Sequence, residues 1–126
     1  MSDEPRPRVE RISAITLFVS DMSRALAFYE ALGFGLKHGG YDAGFTTLRA
    51  GDGFLNLTLE REPPSPPRWG RVIFYVDDVD AFHARAVQSG LTPDREPSDA
   101  SWGERYFHIK DPDGHELSFA RRLNGR

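Results

Sequence analysis

The residues best suited to chemistry lie in the last third of this 126-residue sequence. Tyr106 and His108 alternate along one predicted strand, and Glu116 and Ser118 alternate along the next, so each pair shares one face of a sheet. An imidazole beside a carboxylate could bind a divalent metal and support metal-dependent chemistry. The pair is equally suited to a pocket lining in which His108 is a polar wall residue and Glu116 an outer-edge carboxylate or arginine partner. The sequence favours this second interpretation.

The composition excludes several kinds of function. The chain contains no cysteine, which rules out disulfides, zinc–thiolate sites and thiol nucleophiles. Its net charge is −3 and its basic residues are scattered, so the sequence indicates no positively charged patch that would bind nucleic acid or an anionic membrane. No apolar run approaches the roughly 20 residues that span a bilayer, and the polar N-terminus does not resemble a signal peptide. We therefore expect a cytoplasmic protein with neither nucleic-acid nor membrane partners.

The first half of the chain predicts a strand, a helix and three further strands. Apolar residues recur at helical spacing over residues 22–32, after the capping residues Ser20 and Asp21 and before Gly33, which can close a helix. Runs rich in β-branched and aromatic residues, separated by glycine turns, predict the strands. These strands cover residues 11–19, 34–38, 45–49 and 54–60.

The second half repeats this order after a proline-rich segment. Val19 and Val76, Asp21 and Asp78, Ala27 and Ala84, and Gly33 and Gly90 each lie 57 positions apart. The repeat predicts a helix over residues 79–89, with strands at residues 71–76, 91–93, 105–110 and 115–120. The fold class expected is α+β, with two βαβββ modules in tandem forming a cleft between curved mixed sheets. Residues 1–126 would form one domain, with module 1 at about 11–60, a stiff linker at 61–69 and module 2 at about 70–122.

Two long motifs resemble a known superfamily. ISAITLFVSDMSRALAFYEALGF resembles the opening strand and helix of the vicinal oxygen chelate superfamily, which includes glyoxalases, bleomycin resistance proteins and extradiol dioxygenases. WGERYFHIKDPDGHELSF resembles its closing hairpin, in which Asp111 and Asp113 are suited to forming the turn rather than to binding a metal. The resemblance covers residues 12–120, but the superfamily hosts lyases, isomerases, oxygenases, thiol transferases and drug-binding proteins, so the fold alone does not assign a function.

The resemblance also implies where a metal would be held. The positions that carry His or Glu in metal-dependent members correspond here to Ala14, Asn56, Arg71 and Ser118. Ala14 has no donor atom, Arg71 is permanently positive, and the other two are weak neutral ligands. We therefore expect no metal, no cofactor and no catalytic residue, and favour a binding protein over an enzyme.

Strand alternation and the resemblance together predict the lining of the cleft. Aromatic and aliphatic side chains with a few hydrogen-bonding groups suit a planar or amphipathic small molecule. Arg71 could bind an anionic group of that molecule, or could instead pair with Glu116 or Glu104. Trp102 and Trp69 could stack on a bound ring or simply border the core. The predicted ligand-binding residues are Thr16, Phe18, Asn56, Arg71, Ile73, Tyr75, Trp102, Tyr106, His108 and Ser118.

Three functions remain open from the sequence. The leading hypothesis is a metal-free protein that sequesters an aromatic or amphipathic compound, such as an antibiotic, in the inter-module cleft, as the resemblance to bleomycin resistance proteins implies. The alternative is a metal-dependent lyase, isomerase or dioxygenase with a displaced site at His108 and Glu116, and the third is a scaffold subunit without a ligand. The resemblance implies a homodimer whose clefts take residues from both chains. His83, on a helix, is expected to be solvated.

Overall fold

The computed structural model describes residues 10–62 and 71–124, so Trp69 and most of the predicted linker lie outside the described residues. The predicted α+β fold with two βαβββ modules is confirmed. The elements are β1 (Ala14–Val19), α1 (Met22–Ala31), β2 (Gly35–His38), β3 (Phe45–Ala50), β4 (Gly53–Leu59), β5 (Arg71–Tyr75), α2 (Val79–Gln88), β6 (Ser98–Asp99), β7 (Glu104–Lys110) and β8 (Glu116–Arg122). Neither helix is long and apolar enough to cross a membrane.

Each module is a four-stranded mixed sheet with the same strand order. The first sheet runs β1-β4-β3-β2 and the second runs β5-β8-β7-β6. In each, the first and last strands of the module are parallel and the remaining pairs are antiparallel. One face of each sheet packs on its helix, and we call the opposite face the outer face. Alternate residues therefore point into the core and onto the outer face.

The helix caps repeat as the sequence predicts. Asp21 and Asp78 both adopt an extended backbone conformation, and their carboxylates accept bonds of 3.0 Å from the backbone N–H groups of Arg24 and Ala81. Gly33, with φ of +102°, follows the first helix. A Cβ there would lie 2.1 Å from Nη1 of Arg85, so glycine also leaves room for the guanidinium of this side chain from the second helix.

One predicted strand is wrong. The strand expected at residues 91–93 is irregular, and the edge strand of the second sheet forms at β6 instead. Pro93 and Pro97 have no N–H to donate, which interrupts a ladder on this stretch. Before β6, the backbone of Asp94 donates one 2.9 Å bond to His108, while Leu91 packs against the core. Regular pairing with β7 therefore begins only at Ser98.

An aromatic cluster joins the two modules. Phe119 is fully buried on β8 and stacks on Phe74, Phe82 and Phe107 at centroid distances of 5.4, 5.1 and 5.5 Å. Phe34, which follows α1 in the first module, meets Phe74 edge-on at 5.2 Å. The two helix-facing surfaces therefore share one continuous core.

The turn between β7 and β8 is a second junction between the modules. Asp111 accepts the backbone N–H groups of Asp113 and His115 at 3.0 and 2.8 Å, as a turn-forming residue should. Its other oxygen accepts the Tyr29 hydroxyl of α1 at 2.7 Å. Asp113 in turn accepts both the backbone N–H and the hydroxyl of Ser20, at 2.8 and 2.6 Å. Both aspartates thus fix the hairpin to the first module.

Burial makes the Tyr29–Asp111 bond important for stability. Desolvation raises the pKa of Asp111, and it raises the pKa of Tyr29 well above its usual value, so a charge on either group is costly here. Tyr29→Phe should lower the free energy of unfolding by about 1–3 kcal/mol, because it removes the hydroxyl donor from a buried carboxylate. Urea unfolding measures this difference.

The matched control is Tyr41→Phe, which removes an exposed hydroxyl that donates to the carboxylate of Glu30. Water can replace that donor, so we expect no measurable change in stability. Equal losses of unfolding free energy in the two variants would show that the buried hydrogen bond stabilises the protein no more than the exposed one.

Candidate functional site

One end of the outer face of the second sheet carries a cluster of three charged or titratable side chains. Arg71 begins β5, directly opposite Glu116 on β8, and its Nη2 lies 2.5 Å from the Glu116 carboxylate. Its Nη1 lies 3.2 Å from Nε2 of His108 on β7. A guanidinium can only donate, so this nitrogen of a neutral His108 must accept. The single cation thus joins the imidazole and the carboxylate.

The cluster favours the neutral form of His108. Burial lowers the pKa of His108 below its ordinary 6.5, and repulsion by Arg71 lowers it further, against opposing contributions from Asp94 and Glu116. The folded state binds a proton at His108 less readily than the unfolded chain does. The stabilising contribution of neutral His108 is therefore fully present above about pH 6.5. It is lost as the pH falls from there through the lowered pKa of the folded state.

An NMR titration tests this electrostatic description. We expect the His108 ring to titrate below 6.5, and Arg71→Met should raise its pKa by removing the repelling charge while Asp94 and Glu116 remain. The control is Arg49→Met, since Arg49 lies on β3 of the other sheet and donates to the carbonyl of Leu36. A His108 titration that does not change in Arg71→Met would contradict the coupling.

The residues at the positions where the resemblance places a metal do not fit a divalent cation. Ala14 offers no ligand, and Ser118, although buried, contributes only a hydroxyl. The Asn56 side chain is already hydrogen-bonded to side chains on both neighbouring strands, and Arg71 brings a positive charge to the second sheet. Across residues 10–62 and 71–124, no group of three or more His, Cys, Asp or Glu side chains is arranged to hold a metal.

The outer face of the first sheet is polar along one row and aromatic along the next. Thr47 donates to the Asn56 side-chain oxygen at 2.8 Å, and the Asn56 amide donates to the Thr16 hydroxyl at 3.2 Å. These three residues are direct neighbours on β3, β4 and β1. On the adjacent row, Phe18 and Phe45 are 47% and 44% exposed. This face therefore offers two free aromatic surfaces beside a fixed polar row.

The outer face of the second sheet is aromatic at the end away from Arg71. The ring centroids of Trp102 and Tyr106 are 5.5 Å apart. The guanidinium of Arg95 lies 5.1 Å from the Tyr106 ring centroid and also donates a 2.7 Å hydrogen bond to the Tyr106 hydroxyl. Tyr75 on the edge strand β5 and Trp102 both donate to the carboxylate of Glu104. Aromatic rings and polar groups thus lie side by side, as small-molecule sites require.

A groove of about 410 Å³ lies between the modules. Its walls include Ile73 and Tyr75 from the edge strand of the second sheet, and Arg49 and Gly51 from the end of β3 and its following turn. Phe34 lies at its base, against the aromatic cluster. The size is within the range of drug-sized ligand pockets.

The predicted ligand-binding residues divide into two sets. Thr16, Phe18 and Asn56 lie on the outer face of the first sheet, whereas the others are on the outer face of the second sheet or, for Trp102, in the turn before β7. Among the described residues, no hydrogen bond or ring contact joins the two sets. Phe18 and Ile73 remain 47% and 59% exposed, so neither outer face is covered by the described part of the chain.

Sequence reasoning missed two supporting residues. The prediction that His83 is solvated is wrong, because its ring is buried edge-on against Phe107, with Nε2 3.1 Å from the carbonyl of Arg95. The helical spacing of Val79, His83 and Ala86 was the available signal for this burial. Glu104 was considered only as a partner for Arg71, yet it is bonded to Tyr75 and Trp102 instead.

Two mycobacterial proteins are similar to this chain in sequence. The Mycobacterium bovis protein CFP32, whose name assigns it provisionally as a glyoxylase, is 38% identical over 94 residues, and so is CFP32 of Mycobacterium tuberculosis. That match covers 71% of this chain but only 36% of CFP32, so the chain spans about a third of the length of these curated relatives.

Two solved structures connected with bleomycin share the fold. A bleomycin-binding protein complexed with bleomycin superposes with a TM-score of 0.74 at 26% identity, over 90% of this chain and 99% of its own. A bleomycin resistance determinant encoded on the transposon Tn5 superposes with a TM-score of 0.76 at 25% identity, over 89% and 98%. The sequence model of the Glyoxalase/Bleomycin resistance protein/Dioxygenase superfamily matches residues 11–119. The chain belongs to this superfamily.

Proposed function

We propose that this protein binds and sequesters a small aromatic or amphipathic molecule on its outer sheet faces without using a metal. The observation that carries the proposal is the position of Arg71, whose guanidinium contacts both His108 and Glu116. These are the two side chains that could otherwise have held a displaced metal. A permanent cation between them opposes a divalent ion and offers no acid or base near neutral pH.

The exposed aromatic side chains support a planar ligand. Phe18, Tyr75 and Trp102 are each about half or more exposed on these faces, and the aliphatic side chain of Ile73 is exposed beside them. Stacking on such rings contributes about 0.5–1.5 kcal/mol per pair beyond the burial of apolar area. The similarity to a bleomycin-binding protein is consistent with a ligand of this chemical type. The predicted ligand-binding residues would supply the stacking surfaces and the few orienting hydrogen bonds.

The same exposure supports a homodimer. Apolar side chains on a sheet face that is open in one chain are typical of a surface that a partner covers. In the proposed dimer, the first sheet of one copy faces the second sheet of the other, and the tandem modules act as one domain. Light scattering at micromolar concentration should give twice the chain mass, and a monomer mass would contradict this arrangement.

Calorimetric titration of chelator-treated protein tests the binding function. We expect saturable heat with metal-free bleomycin or with members of a panel of aromatic and glycosylated antibiotics, and a raised melting temperature in their presence. Trp102→Ala should weaken whichever compound binds, whereas Val87→Ala, on the exposed side of α2, should not. Absence of both heat and a thermal shift across the panel would remove the basis of this proposal.

Two observations favour an enzyme instead. His108 and Glu116 both contact the guanidinium of Arg71, and the mycobacterial relative carries a glyoxylase name. A metal-dependent lyase, isomerase or dioxygenase would require the metal to displace Arg71. Tight stoichiometric metal binding that His108→Ala abolishes would support this second function.

A further inference from the structure

A pocket of about 430 Å³ at the aromatic end of the second sheet is built around one carboxylate. Its lining comprises Tyr75, Trp102, Gly103, Glu104, Arg122 and Asn124. Glu104 accepts the Trp102 indole N–H at 3.0 Å and also accepts the Tyr75 hydroxyl. Both donors are neutral, so they orient the carboxylate without cancelling its charge.

Within the described part of the chain, the charge of Glu104 is not matched by an ion pair. Among residues 10–62 and 71–124, every salt bridge within 4.0 Å involves other carboxylates. Arg122 lies opposite Glu104 in the β7–β8 register and lines the same pocket, yet it does not come within that distance. A carboxylate held in this way favours a positively charged partner.

The surrounding rings are also suited to a cation. Trp102 is 66% exposed and Tyr75 is 56% exposed, so ring surface is available on both side chains that hold Glu104. A cation already lies on a neighbouring ring, since the guanidinium of Arg95 is 5.1 Å from the centroid of the Tyr106 ring. Aromatic faces attract cations through their quadrupole, most strongly at tryptophan.

We propose that this pocket binds an ammonium group of the ligand, with Glu104 as counter-ion and the rings of Trp102 and Tyr75 as walls. The inference rests on the proposed function, because the ammonium group would be one end of the molecule that the outer face sequesters. It adds a chemical requirement, namely that the ligand is cationic as well as aromatic or amphipathic. Arg122 should weaken this binding by repulsion.

The test compares a cation with its neutral isostere on the whole protein. The probes are choline and 3,3-dimethylbutan-1-ol, which share their shape and differ in charge. The readout is the indole N–H resonance of Trp102, assigned with Trp102→Phe, because this group donates directly to Glu104. We expect saturable shifts with choline and binding of the neutral alcohol that is weaker by about tenfold, as cation–π and ionic contacts of roughly 1.4 kcal/mol imply.

Charge variants sharpen the result. Glu104→Gln should weaken choline binding several-fold, and Arg122→Gln should strengthen it. Glu30→Gln is the control, because Glu30 also accepts a tyrosine hydroxyl but lies on α1. Equal binding of the two probes, or no choline binding by protein that still binds an aromatic antibiotic, would overturn the cation site alone. Failure of every aromatic compound as well would instead overturn the proposed function.

Discussion

Replacing Arg71 with histidine should create a site that binds a divalent metal on the outer face of the second sheet. In Arg71→His, three ligands would face one another, namely the new imidazole, His108 and Glu116, which is the His₂Glu set of many zinc sites. Removing a guanidinium near a dication relieves a repulsion of a few kcal/mol after solvent screening, which is on the order of a hundredfold or more in affinity. Calorimetric titration with Zn²⁺ and Ni²⁺ measures the gain.

Two further variants separate charge from ligation. Arg71→Gln removes the charge without adding an imidazole, and it should give a smaller gain than Arg71→His. The double variant Arg71→His with His108→Ala should lose most of the gain. If Arg71→His binds metal no better than the wild-type protein, His108 and Glu116 are not placed to share a cation, and Arg71 is not what excludes the metal.

Phe119→Ala should be among the most destabilising single substitutions in the chain. Phe119 has no exposed surface and stacks on three other phenylalanines that belong to β5, α2 and β7. Truncation of a buried phenylalanine costs about 3–5 kcal/mol, a large share of the roughly 5–15 kcal/mol that stabilises a typical domain. Chemical denaturation should show this loss as a lower midpoint.

The matched substitution is Phe45→Ala on the outer face of the first sheet, where the ring is 44% exposed. It should change the free energy of unfolding by well under half as much, because little cavity forms. Comparable losses at both positions would mean that the outer face is as well packed as the core, for example beneath a partner subunit.

Much of the fold could be predicted because its signals are local. Asp21 and Asp78 cap the two helices through bonds to residues three positions ahead, and glycines follow both helices with positive φ. The absence of a strand at residues 91–93 also has a local cause, because Pro93 and Pro97 have no N–H to donate to a neighbouring strand. The strand was predicted because Leu91 is apolar, as strand residues often are. Leu91 packs against the core from an irregular segment instead.

The site was harder to predict because its contacts are distant in sequence. Arg71 meets Glu116 and His108 through two strand pairings, so the sequence left its ligand role and its ion pair equally open. Asp111 was expected to form only a turn, yet its partner Tyr29 lies 82 positions away. Patterns of alternation assign a residue to a face, but they do not give the partner that it meets there.

The most direct test of the account is the metal content of the protein purified without added metal, followed by calorimetric titration with Mn²⁺, Fe²⁺, Ni²⁺ and Zn²⁺. With Arg71 between His108 and Glu116, we expect substoichiometric metal and no saturable heat. One tightly held metal per chain would contradict metal-free binding and make the enzyme the better description.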